Sequence, residues 1–192
     1  MKLAAALAIV FFVASCSSGQ ARPAQSAQQK QSEPATALEA FMGKRGRVVL
    51  KDTYSIGKVN RLGSVDMDAL VIYEPGSTPR IKGLRVEITE GGEFRRSSTS
   101  FIDVDELESL SQGLGYIQDL ASKWAGQSHE PYTEVAYTSK GEFQVGFYQT
   151  GTKARAWCKG GTIASATAFL EVADIAQLKA LVDQARTTLQ AK

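Results

Sequence analysis

Histidine occurs once in the 192 residues, at His129, and cysteine twice, at Cys16 and Cys158. A single histidine excludes a multi-histidine zinc centre. Neither sign of charge dominates: 22 basic residues face 20 acidic ones, and losing Lys2 with an N-terminal leader would leave the chain near +1. That balance lacks the excess expected of a polyanion binder, and no long run of either sign occurs. The double glycines at Gly91-Gly92 and Gly160-Gly161 lie between extended segments. They read as hairpin turns needing positive φ, because a phosphate loop requires a strand-to-helix junction and usually a Lys-Ser/Thr ending. No cofactor or metal motif is present.

The one long apolar run is Leu3 to Ala14 (LAAALAIVFFVA), preceded by Lys2. It is too short to cross a bilayer as a permanent helix, which takes roughly 20 residues. A basic start and a short apolar core have the form of a secretory signal. At its end, Val13-Ala14-Ser15-Cys16 resembles the lipobox of bacterial lipoprotein precursors: an aliphatic residue, two small ones, then the cysteine. Small residues fit a narrow peptidase channel, and the thiol carries a diacylglycerol through a thioether. The resemblance implies residues 1–15 as signal peptide, Cys16 as the lipidated new N-terminus, and acylation of its freed amine by a fatty acid such as palmitate. Each buried CH₂ contributes ~0.8 kcal/mol, so two or three chains anchor durably where one does not. Ser17 is not the aspartate that retains such proteins in the inner membrane. The resemblance therefore implies lipid anchoring to the outer membrane, facing the periplasm.

Ser17 to Thr36 (SSGQARPAQSAQQKQSEPAT) has no aliphatic or aromatic side chain larger than alanine. It cannot bury enough apolar surface to fold, and as a coil its mean reach is ~25 Å. Residues 16–36 thus form a lipidated cysteine and flexible linker, and 37–192 a single globular domain with room for a core.

An internal repeat organises that domain. FIDVDELESLSQGLGYI from Phe101 and FLEVADIAQLKALVDQA from Phe169 share a pattern 68 positions apart, with Phe101/Phe169, Glu106/Asp174, Leu107/Ile175 and Leu110/Leu178 matching in kind. Apolar steps of three and four place each set on one helix face. Extended backwards without a gap, Gly83 to Ser100 overlies Gly151 to Ala168, each with period-two alternation around a double glycine. Further strands are expected at Val48 to Ile56, Val65 to Tyr73, Thr133 to Tyr137 and Phe143 to Tyr148. Thr36-Ala-Leu-Glu39 carries a capping-box signature for a short leading helix. The expected fold is α+β: two ββββα repeats, about 47–124 and 132–190, with antiparallel sheets and packed helices.

This element order resembles, in outline, the duplicated ββββα Whirly-type fold and related single-stranded-DNA-binding coactivators. The resemblance implies two sheets with helices between or across them, and carries no functional residue. Gly113 and Gly115 each cost ~1 kcal/mol against alanine inside a helix. Either the two helices approach closely there, or the first helix breaks after Gln112.

Catalytic material is sparse. His129 lies in the polar turn Gly126-Gln-Ser-His129-Glu130-Pro131 and reads as solvent-facing. Cys158 could pair with it as a nucleophile, but alternation places Cys158 on the alanine side of its strand, where an unpaired cysteine is a small buried hydrophobe. With Cys16 acylated, Cys158 also has no disulfide partner within the chain. Asp66/Asp68 read as a solvated strand face, and Asp103/Asp105 as negative charge at a helix N-terminus. The candidate ligand-binding residues are Arg155 and Trp157, on one strand face with Lys153, and Arg95 and Arg96 in the other copy. Tryptophan beside guanidinium groups can hold a stacked ring or an anion; alternatively the ring is covered by a neighbouring helix with the basic residues at its rim.

The expectation is therefore a lipid-anchored envelope protein acting as a non-enzymatic interaction module. Its partners would be the membrane, through the anchor, and an envelope protein or glycan, with nucleic acid disfavoured by charge and address. The alternatives are a single-stranded nucleic-acid binder, from the fold outline, and a hydrolase using Cys158.

Overall fold

The computed structural model describes residues 34–161 and 164–192. The signal, Cys16 and the linker up to residue 33 lie outside the described residues. The fold is α+β: a short helix α1 (Ala37–Met42), a sheet of β1 (Leu50–Arg61), β2 (Gly63–Tyr73), β3 (Ile81–Glu90) and β4 (Ser97–Asp103), then α2 (Leu107–Trp124) after a 3-10 turn at Val104–Glu106. A second sheet of β5 (His129–Thr138), β6 (Gln144–Gly151), β7 (Lys153–Gly160) and β8 (Ala166–Leu170) leads into α3 (Asp174–Gln190). Both sheets are antiparallel meanders in sequence order. Among the described residues no helix is long and apolar enough to cross a membrane.

Local chemistry sets the elements. Alternation along β2, β3 and β6 sends Val65, Met67, Ala69, Leu84, Val86, Ile88, Val145 and Phe147 to one buried face of each sheet. The two helices bury Leu107, Leu110, Leu114 and Ile117, and Ile175, Leu178, Val182 and Leu189, at helical spacing. The capping box at α1 forms as expected: Glu39 N donates to Thr36 Oγ1 at 3.1 Å and Thr36 N to Glu39 Oε2 at 3.2 Å.

The helices exchange sheets. α2 packs on β5 and β6 of the second unit, α3 packs on β1 and β2 of the first, and the two helices pack on each other. A single core joins both units as a result.

Strand register corrects the ungapped repeat. The 68-residue spacing holds from β4 through α2 against β8 through α3, but Val86 pairs with Ser100 while Cys158 pairs with Ala168. Cys158 thus occupies the place of Val86, and the β7–β8 hairpin is four residues shorter than the β3–β4 hairpin. The shared double glycines had suggested an equivalence that the backbone pairing does not follow.

α2 runs unbroken through Gly113 and Gly115, so the proposed break after Gln112 does not occur. A close approach does explain Gly113, though not to the other helix. A Cβ there would lie 2.7 Å from Tyr137 Cδ2 on β5. At Gly115 the nearest side-chain atom is Lys179 Cε of α3 at 3.6 Å, an ordinary contact.

The acidic pairs also have specific work. Asp66 and Asp68 lie on the outer face of the first sheet, bonded to Lys58 at 2.9 Å and Arg85 at 2.6 Å. Asp103 accepts from Ala37 N at 2.7 Å and Leu38 N at 3.1 Å, so it caps α1 and not the helix that follows it. That bond helps hold α1 over Leu70, Ile72 and Phe101, where Leu38 is fully buried.

Candidate functional site

Arg155 is exposed on β7, on the sheet face opposite the core. Alternation puts Trp157 on that same face, between Gly146 of β6 and Phe169 of β8 in register. Trp157 is only 7 % exposed, which removes it as a stacking platform for a ligand. No helix is responsible, since α2 and α3 pack on the other face. Its cross-strand neighbours in register are Gly146 and, one strand further, Ala136, both small. The expected pairing of a free tryptophan with arginines is therefore corrected: Arg155 is available and Trp157 is packed.

What Arg155 does meet is the tip of the first unit. The β1–β2 turn reaches the open edge of β8, where Leu62 N donates to Phe169 O at 3.2 Å and Phe169 N to Leu62 O at 3.0 Å. Arg61, Leu62, Arg155, Phe169, Leu170 and Glu171 line a groove of about 250 Å³ at this junction. Arg61 is fixed there by a two-pronged bond to Asp174, at 2.9 and 3.0 Å, at the start of α3. Asp174 is 5 % exposed, and that hydrogen bonding, with its charge second, raises the guanidinium pKa above its already high ordinary value.

Arg95 and Arg96 lie across the same tip. Arg95 shares a groove of about 280 Å³ with Leu62, Thr89 and Gly92. Arg96 makes a two-pronged bond to Glu90, which holds that carboxyl below its ordinary range. Glu90 in turn accepts from Thr167 N at 3.3 Å, tying the turn to β8. Arg95 and Arg155 form no ion pair among the described residues. The structure thus brings Arg155, Arg95 and Arg96 to one end of the head, on either side of Arg61 and Leu62.

The thiol reading fares differently. Cys158 is fully buried among Ala156, Ala168 and Val145, and burial pushes its thiol pKa far up. A thiolate is the nucleophilic form, so the folded state holds this sulfur in its unreactive form. His129 is not brought near it: His129 pairs with Gly151 at one end of β6, while Cys158 pairs with Val145 at the other, ~20 Å along the strand. Nor does His129 sit free in a turn. It opens β5, half-buried, with its ring 4.3 Å from Trp124 and Nε2 buried without a partner. Among the described residues no group of three or more metal-ligating side chains is assembled.

Arg61, Leu62 and Phe169 escaped the sequence reading of this surface. Phe169 did carry a signal, as the counterpart of Phe101. Phe101 lies beneath α1, and the second unit has no such helix, so Phe169 remains 39 % exposed. Comparison of the chain with protein-family models, characterised proteins and solved structures returns no match, so the Whirly-type outline rests on element order alone.

Proposed function

We propose that the chain is a lipid-anchored, non-enzymatic binding module of the bacterial envelope, held at the outer membrane through Cys16 with its head facing the periplasm. The observation that carries this reading is the run Val13-Ala14-Ser15-Cys16 followed by a polar spacer that ends at Thr36, the residue capping the first helix of the head. Anchor, spacer and folded body follow each other without overlap. Arg155, exposed on β7, with Arg95 across the tip, is where an envelope component would sit. The buried Cys158 weighs against a hydrolase, and the near-neutral charge weighs against nucleic acid.

Intact-mass measurement of the chain purified from membranes tests the anchor. The expected mass is that of a chain starting at Cys16 and carrying acyl groups, and Cys16→Ser should move the protein to the soluble fraction. An unprocessed start or a bare Cys16 thiol defeats the reading. For the surface, Arg155→Ala with Arg95→Ala should abolish recovery of crosslinked envelope partners while leaving the melting temperature in place.

A further inference from the structure

Three large apolar side chains stand in water at one end of the head. Phe94, in the turn between β3 and β4, is 91 % exposed, Leu62 is 58 % exposed and Phe169 39 %. Leu62 and Phe169 adjoin, and the turn that carries Phe94 starts beside Leu62. Leu62 and Phe169 share two hydrogen bonds, and a Cβ on Gly91 would lie 3.0 Å from the Leu62 carbonyl carbon. Residues 91–96 are exposed throughout. The feature is therefore a protruding hairpin tip, with the aromatic ring at its crest.

Shape narrows the occupant. Phe94 has almost no surface from its own chain around it, so the crest presents a free ring and no pocket of its own. A phospholipid layer needs no complementary relief, and aromatic rings favour its interface. Charge does not set the choice, because the unpaired Arg95 and Arg155 are matched at this end by Glu93 and Glu171, which also form no ion pair among the described residues.

Chain length points the same way. α1 packs by Leu38 against Leu70, Ile72 and Ile81, near the start of β3, whereas the tip follows Glu90 at its end. Nine strand steps make that span ~30 Å. The reach that composition gives residues 16–36 is ~25 Å. A linker concentrates a second contact most when its reach matches the span.

We propose that this end of the head is a bilayer-contact tip, with Phe94 and Leu62 entering the headgroup boundary of the lipid layer that holds Cys16, and Phe169 at its waterline. The strength of this contact rests on the anchor reading; the apolar tip itself belongs to the head.

The test uses the full mature chain in phosphatidylcholine vesicles. Glu93→Cys, labelled with a polarity-sensitive dye, supplies one accessible thiol, since Cys158 is buried; Lys44→Cys labels the α1 end as control. The expected result is blue-shifted emission from position 93, quenched by spin-labelled lipids, with position 44 remaining aqueous. Adding Phe94→Ser and Leu62→Ser should return position 93 to aqueous emission, while 0.5 M salt should change it little. Aqueous emission from position 93 in all vesicles, equal quenching at both positions, or protection only on adding envelope glycan or protein would overturn the proposal.

Mass measurement on the same sample separates this from the anchor. If Cys16 carries no lipid, the anchor reading fails alone, and the unlipidated chain, with Cys16→Ser, is titrated with vesicles. A shift at position 93 weakened roughly tenfold or more by the two serine changes supports the tip; no shift at millimolar lipid overturns it.

Discussion

The ring of Tyr137 occupies the space that a side chain on Gly113 would fill, with Cδ2 2.7 Å from the position of a Cβ. At the matching contact in the other half of the molecule the sizes are reversed. Leu181 of α3, 68 residues beyond Gly113, reaches to 2.6 Å of the Cβ position of Gly57, and register across both sheets places Gly57 where Tyr137 stands. Each helix–sheet contact pairs one large residue with one glycine, and the two pairs are inverted. Interiors packed to crystal density accept this exchange because summed volume, and not the identity at each position, is what must be kept.

Gly113→Ala should destabilise the fold despite alanine's better helix propensity. The overpacking cost, about 1–3 kcal/mol, exceeds the ~1 kcal/mol that propensity returns. Urea unfolding of Gly113→Ala, Tyr137→Ala and the double variant forms a cycle, and strong coupling is expected. Additive effects would mean that the tyrosine yields freely and the glycine has another origin.

Glu106 and Asp174 occupy equivalent places at the starts of the two helices, and each holds the hairpin tip of the other unit. Asp174 takes the Arg61 guanidinium, while Glu106 Oε1 accepts from Lys140 N at 2.9 Å and its Oε2 is buried without a partner. The same change should therefore act in opposite directions. Asp174→Asn should lower the urea midpoint, because it discards the charge facing Arg61. Glu106→Gln should hold or raise it, because the acceptor is kept and an unpaired buried charge removed. A loss from Glu106→Gln as large as from Asp174→Asn would refute the asymmetry.

Cys158 should resist alkylation in the native protein and react only on unfolding. Its burial raises the thiol pKa from the ordinary 9.0, and the sign of the pH effect follows. Below pH 9 the thiol is protonated in both states; above it, only the unfolded chain ionises. Stability should fall as pH rises past 9, by a component that Cys158→Ala removes. Cys158→Ser should cost about 1–3 kcal/mol by burying a hydroxyl. Rapid labelling of native protein would disprove the burial.

Phe101 and Phe169 offer a fourth comparison. Phe101→Ser should loosen α1 and lower the melting temperature, since the ring packs beneath Leu38. Phe169→Ser, at a ring already 39 % exposed, should lower it less. Equal losses would show that Phe169 is held by packing as tightly as its counterpart.

Much of this was readable along the chain. Alternation in VDMDALVIY, the three-and-four spacing of Leu107, Leu110 and Leu114, and the Thr36/Glu39 capping box are local signals, and each produced its element. The order of two β-β-β-β-α units follows from them. The alanine-side position of Cys158 also announced its burial.

Tertiary structure alone decided which sheet each helix covers, because an apolar stripe specifies that it must be buried and not against what. It set the four-residue offset of β7, joined Arg61 to Asp174 across 113 positions, and covered Trp157 while leaving Arg155 open. Those outcomes depend on contacts between segments distant in the chain, where periodicity carries no information about the partner.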